Sequence, residues 1–153
     1  MLVYLIKIQN KIDMNKISEG IELQAFFDNL NFSHRDEDKL KAAYKALIEN
    51  FEKLNNIYNF SCSFNESYIY DQLESLFKKE KKSLSFIPFG IKDIFNTKVL
   101  PTEMGSDIWK DFRSGNNARI VDEIQRAGGI SFCKTTTAEF AVHYFEDNRT
   151  LNP

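Results

Sequence analysis

Apolar and polar positions change their period near residue 84. Before it, apolar residues recur at helical spacing; after it, short apolar runs alternate with glycine-bearing turns. The clearest helical stretch places Leu40, Ala43, Tyr44, Leu47, Ile48, Phe51, Leu54 and Tyr58 on one face. Lys39, Lys41, Lys45, Glu49, Glu52 and Lys53 fall on the other. Side chains three and four apart share a helix face, so this pattern predicts an amphipathic helix over residues 34–57 with its stripe toward the core. Ser33 followed by Asp36 offers a capping-box start, and His34 reads as a solvated residue there. A second helix is expected over 65–79, with Ile69, Leu73, Leu76 and Phe77 on one side. The cations Lys78, Lys79, Lys81 and Lys82 then suit the negative end of its dipole. Asn55-Asn56 and residues 59–63 read as loop. Toward the N-terminus, Leu2 to Ile8 fits either a strand or a first helical turn. Ile21, Leu23, Phe26, Phe27 and Leu30 outline a short helix ending near Asn31.

Beyond residue 84 the expected order is strand, helix, strand. Residues 86–94 are the central strand candidate, and 96–105 a loop. Ser106 is placed to cap a short helix that includes Ile108, Trp109 and Phe112. Ser114 to Asn117 read as a turn. Ala118, Val121, Ile124, Gln125 and Ala127 outline a helix closed by Gly128-Gly129 in a left-handed cap. Ile130 to Cys133 form a strand, and Thr137 is positioned to cap a helical turn through Glu139-Phe140-Ala141. That order points to an α/β layer with a parallel strand pair. The chain divides into a helical region, 1–82, and the start of an α/β core, 83–153.

Composition changes this picture little. The 153 residues suit one domain of ordinary size, and 42% hydrophobic residues with 14 phenylalanines supply a core. A formal net charge of -2 gives no reason to expect nucleic acid or an anionic membrane as partner. The lysine run 78–82 lacks interleaved aromatics and reads as a solvated helix end. No stretch has the length of a membrane span. The apolar N-terminus lacks a basic region and cleavage site, so a cytoplasmic protein is expected. Cys62 and Cys133 are far apart and lack metal-ligand spacing, which predicts two reduced thiols.

The candidate chemistry lies in Phe89-Gly90-Ile91-Lys92-Asp93-Ile94-Phe95. A lysine interrupts an apolar run, and burying an ammonium there is costly unless it is paired or neutral. Two readings stand. Lys92 can be a strand-end lysine that reaches water or pairs with Asp93. It can also be kept neutral by desolvation and act as a base near neutral pH.

Four segments bear on that choice. They are Ile87-Pro88-Phe89-Gly90-Ile91-Lys92-Asp93, Pro101-Thr102-Glu103-Met104-Gly105-Ser106, Ala118-Arg119-Ile120-Val121-Asp122 leading to Ala127-Gly128-Gly129-Ile130, and Lys134-Thr135-Thr136-Thr137-Ala138-Glu139-Phe140-Ala141. In this order and spacing they resemble the amidase signature family. The resemblance covers about the last 70 residues well and the helices before them in outline. It implies a layered α/β/α fold around a mixed sheet and hydrolysis of carboxylic amides through a Ser–cis-Ser–Lys triad. It places Lys92 at the catalytic lysine and calls for no metal or organic cofactor. Both serines of the family lie in a Gly/Ser-rich segment further along, and Thr150-Leu151-Asn152-Pro153 resembles the approach to it. The expectation is therefore an N-terminal fragment that carries one member of the triad and is inactive alone. Ser106 is read as a turn and cap residue. Asp93 and Glu139 are expected as a salt-bridge and a helix-end partner, and His143 as a surface or hydrogen-bonded core residue.

The resemblance implies a small-molecule amide as substrate. Where a glutamine amidotransferase A-type subunit usually reads Lys-Thr-Asn-Met-Asp-Glu-Phe-Ala-Met-Gly, this chain reads Lys134-Thr135-Thr136-Thr137-Ala138-Glu139-Phe140-Ala141-Val142-His143. That difference favours a general amidase over the amidotransferase component. The alternatives outside catalysis are a truncated product or split subunit that works through a partner, and an interaction module in the helices of residues 18–80. An unfinished sheet exposes an unpaired edge, so self-association or complementation by a downstream chain is expected.

Overall fold

The computed structural model describes residues 37–142. The expectations for Leu2 to Ile8, the helix ending near Asn31, Ser33, His34, Asp36, His143 and residues 150–153 lie outside them. The chain divides into two compact units, Met1–Leu54 and Asn55–Pro153.

Helix α1 is Glu37–Tyr58, with acidic Glu37 and Asp38 in its first turn, where the dipole favours negative charge. Leu40, Tyr44, Leu47, Ile48 and Phe51 are buried at spacings of three and four, as the stripe predicts. Ala43 departs from it and lies exposed. Asn59, at φ +49°, ends the helix in the left-handed region, and its N–H donates to the Asn55 carbonyl.

The second unit is built on a three-stranded sheet of order β1-β3-β2. Strand β1, Ser61–Phe64, falls where the sequence reads as loop. Ser61-Cys62-Ser63-Phe64 alternates over four residues only, too few to set a strand apart from loop, so its strand character comes from tertiary pairing. It runs antiparallel to β3, Ile130–Thr135, with Ser61 opposite Thr135 and Phe64 opposite Cys133. The Asn55 side chain clips its start, accepting from Ser61 N–H at 2.7 Å and donating to Ser61 C=O at 3.1 Å. Helix α2, Glu66–Phe77, starts at Asn65, whose side chain accepts from Tyr68 N–H at 2.9 Å. Its Ile69 and Leu73 are fully buried.

Strand β2, Pro88–Lys92, is shorter than the predicted 86–94. Phe86 sits at φ +66°, outside the extended region, and the Ile94 and Phe95 amides fold back onto the Lys92 carbonyl at 2.7 and 3.0 Å. β2 pairs with β3 in parallel, from Pro88 opposite Ile130 to Lys92 opposite Thr135. The parallel pair is as expected, but the middle strand of the three is β3, not the segment around Lys92. β3 is buried along nearly its whole length, as a strand covered on both faces requires. Helix α3, Arg119–Arg126, makes the crossover between them. The expected α/β class holds.

Gly128 closes α3 at φ +98° and lies against the start of the β2 segment, where its carbonyl accepts from Phe86 N–H. A Cβ there would stand 2.7 Å from Ser85 Oγ and 2.8 Å from Ser85 Cα. Backbone cannot yield as a side-chain tip can. Gly128→Ala is expected to lower the urea midpoint by the equivalent of about 1–3 kcal/mol, and an unchanged midpoint would contradict this packing.

Two predicted helical turns are shorter or differently capped. Asp107–Trp109 is a single 3₁₀ turn without Phe112, and Ile108 is exposed. Glu139–Ala141 is likewise a 3₁₀ turn, preceded by Ala138 and not capped by Thr137. Ile94, Phe95, Phe140 and Val142 leave apolar surface open.

Candidate active site

Ligand sites in open α/β sheets gather beyond the carboxyl ends of parallel strands. Here those ends carry Lys92 and Thr135. Side chains alternate across a strand. Accordingly Ile91 is buried, Lys92 is exposed and Asp93 is buried again at 1% exposure. Among the described residues no hydrogen bond or ion pair reaches the Lys92 side chain. The shelter and the Asp93 pairing considered for it are both absent there.

The buried lysine is another one. Lys134 of β3 is wholly enclosed, and its Nζ lies 2.9 Å from Asp93 Oδ1. It also donates to the Phe95 carbonyl and to Thr102 Oγ1, each at 2.8 Å. An ammonium has three protons to give, and three acceptors receive them. Burial lowers the Lys134 pKa, while the hydrogen bond and charge of Asp93 pull it back up. Three acceptors, one of them a carboxylate, mark this lysine as a cation that holds structure. The Asp93 carboxylate accepts in addition the Glu103 N–H, at 3.2 Å to Oδ2. Sequence reading placed Asp93 in a salt bridge and did not find Lys134 as its partner. The available signal was a lysine directly after the apolar run Ile130 to Cys133.

Beside this pair opens a cleft of about 200 Å³ bordered by Cys62, Asp93, Glu103, Ser106, Lys110 and Thr137. Ser106 is buried and donates through Oγ to Glu139 Oε1 at 2.6 Å. It makes no side-chain cap bond to the 3₁₀ turn. Glu139 is thus a partner of a turn serine. The Phe140 N–H donates to the Met104 carbonyl at 2.7 Å, joining the same two turns. Gly105 between them stands at φ +66°, and a Cβ would come within 2.5 Å of the Thr137 carbonyl oxygen.

Both cysteines are free thiols, Cys133 buried and Cys62 exposed. Burial pushes each thiol up to about 12; the Asp93 carboxylate adds to the effect at Cys62, much of whose residue still reaches solvent. A raised pKa leaves little thiolate at pH 8. Iodoacetamide at pH 8 is therefore expected to label both at least about 100-fold more slowly than free cysteine. Denaturant should abolish the difference, and rapid labelling of native Cys62 would contradict it. Among the described residues no group of three His, Cys, Asp or Glu could hold a metal ion. No helix among them is long and apolar enough to cross a membrane.

The fold agrees with comparison to known proteins. The family model described as Amidase matches residues 42–153, and the chain belongs to that family. It is 32% identical over 105 residues to the A subunit of the glutamyl-tRNA(Gln) amidotransferase of Coxiella burnetii, covering 66% of this chain and 22% of that protein. It is 30% identical over 122 residues to the mitochondrial counterpart of Schizosaccharomyces pombe, covering 75% and 25%. Among solved structures, a chain of a vestigial protein complex described as revealing the origins of an s-triazine catabolic enzyme superposes with a TM-score of 0.66. That match has 12% identity and covers 74% of this chain and 26% of the other. A crystal structure of an amidase gives a TM-score of 0.53 at 22% identity, covering 69% and 27%. These likenesses carry the fold. The chain spans about a quarter of the length of the relatives it matches.

Proposed function

We propose that this chain contributes to an enzyme that cleaves the carbon–nitrogen bond of carboxylic amides, with Lys92 as its base. The observation that carries the reading is the place of Lys92. It stands at the carboxyl end of a parallel strand, open and unengaged among the described residues, in a member of the amidase family. By family resemblance a serine attacks the amide carbon, and its proton passes through a bridging serine to the lysine. An acyl-enzyme forms and water cleaves it. Free lysine, with a pKa of ~10.4, holds too little neutral amine at pH 7 for this work. In this reading, shelter for Lys92 and the two hydroxyls come from residues other than 37–142. The buried, fully bonded Lys134 is left to structure.

The substrate is a small-molecule amide. The similarity to glutamyl-tRNA(Gln) amidotransferase A-type subunits favours glutamine as the amide and a multi-chain assembly as its setting. The Thr136-Thr137-Ala138 stretch favours the general amidase instead. Ammonia release from glutamine, set against release from simple aliphatic and aromatic amides, separates the two. Both require Lys92, so the deciding measurement is the activity of Lys92→Ala in the whole protein that carries these residues.

A further inference from the structure

The polypeptide just after Lys92 is fastened more heavily than a surface turn needs. The Lys92 carbonyl accepts from Ile94 and Phe95 N–H, and the Asp93 N–H donates to the Thr135 carbonyl at 3.2 Å. The Asp93 carboxylate then meets Lys134 and the Glu103 N–H. Lys134 in turn holds the Phe95 carbonyl and Thr102 Oγ1, and Thr102 itself donates to the Phe95 carbonyl at 3.3 Å. Lys134 is seated from the other side too, because its carbonyl accepts from Ser61 Oγ at 2.7 Å. One enclosed ion pair therefore joins β2, β3 and the 95–103 loop.

Adjacent residues of a strand face opposite ways. Whatever fixes Asp93 inward also fixes the direction in which Lys92 leaves the sheet. An apolar pair of similar size would pack at least as stably as a buried ion pair, so stability alone does not account for the charges. A base misplaced by an ångström loses about 10²-fold in rate.

We propose that Asp93 and Lys134 are positioning residues for Lys92: the buried pair locks the turn after β2 and so aims the lysine at the site. This rests on the reading of Lys92 as the base. Lys134 touches no reacting atom and acts only through Asp93.

The test compares Asp93→Asn with the double variant Asp93→Asn, Lys134→Gln, which keeps a neutral hydrogen-bonding pair and guards against simple misfolding. Native-state hydrogen exchange should quicken tenfold or more at the Ile94, Phe95 and Glu103 amides. The Ile130 and Thr136 amides, held by Ile87 and Phe60 carbonyls, should keep their protection. In the whole protein, kcat should fall roughly 10–100-fold with KM nearly unmoved. Faster exchange spread evenly over all five amides, or no change, overturns the lock. So does loosening of the turn with kcat intact while Lys92→Ala is inactive. Activity surviving in Lys92→Ala removes the function itself, and the exchange pattern then tests the lock alone.

Discussion

Lys134→Met lowers the stability of the unit that contains the sheet by about 3–5 kcal/mol, the cost of leaving a buried charge without its partner. The loss does not come from methionine, which fills the space of a lysine stem without difficulty. It comes from Asp93, left at 1% exposure with the Glu103 N–H and the Cys62 thiol but no cation to meet its carboxylate, and from the Phe95 carbonyl and Thr102 hydroxyl, which lose a donor. Adding Asp93→Asn should recover a substantial part of the loss, because a neutral amide replaces the stranded charge and still accepts from Glu103. Urea denaturation of the two variants measures both effects. A single-variant loss below about 1 kcal/mol, or a double variant no better than the single, would show that the pair is hydrated or dispensable.

Lys92→Ala should behave in the opposite way. Its side chain is exposed and meets no partner among the described residues, so unfolding should shift by no more than about 0.5 kcal/mol. Amide hydrolysis should fall by about 10²–10⁴-fold, as expected for removal of a positioned base. Lys92→Arg should be equally inactive, since a guanidinium does not release its proton at working pH. The contrast between two lysines opposite one another's neighbours on paired strands is the useful part. One variant destabilises the unit that contains the sheet and the other leaves it folded and silent. An active Lys92→Ala enzyme would place the base elsewhere.

Much of this fold is legible in the sequence, for reasons that differ by element. The stripe from Leu40 to Phe51 announces α1, because burial on one face leaves a period that no neighbouring segment can alter. Gly128 announces the end of α3, since a φ of +98° suits few other residues. β1 is not legible, because Ser61 to Phe64 become a strand only through pairing with residues some 70 positions later. The two lysines show the same limit more sharply. Lys92 and Lys134 each adjoin an apolar run and look alike as text. What separates them is the sheet order: β3 lies between two strands and encloses its lysine, while β2 ends at a turn and releases its own. Ser106 and Glu139 meet across 33 residues, a bond that local capping rules do not foresee.

The distance along the chain between β1 and its partner also governs how the protein emerges from the ribosome. The Ser61 hydroxyl waits for a carbonyl made 73 residues later, which at ordinary elongation speeds is an interval of roughly 4–15 s. During it β1 lacks the β3 edge that it pairs with in the folded chain. A slow stretch of translation before residue 130 would lengthen that exposure, and a fast one would shorten it.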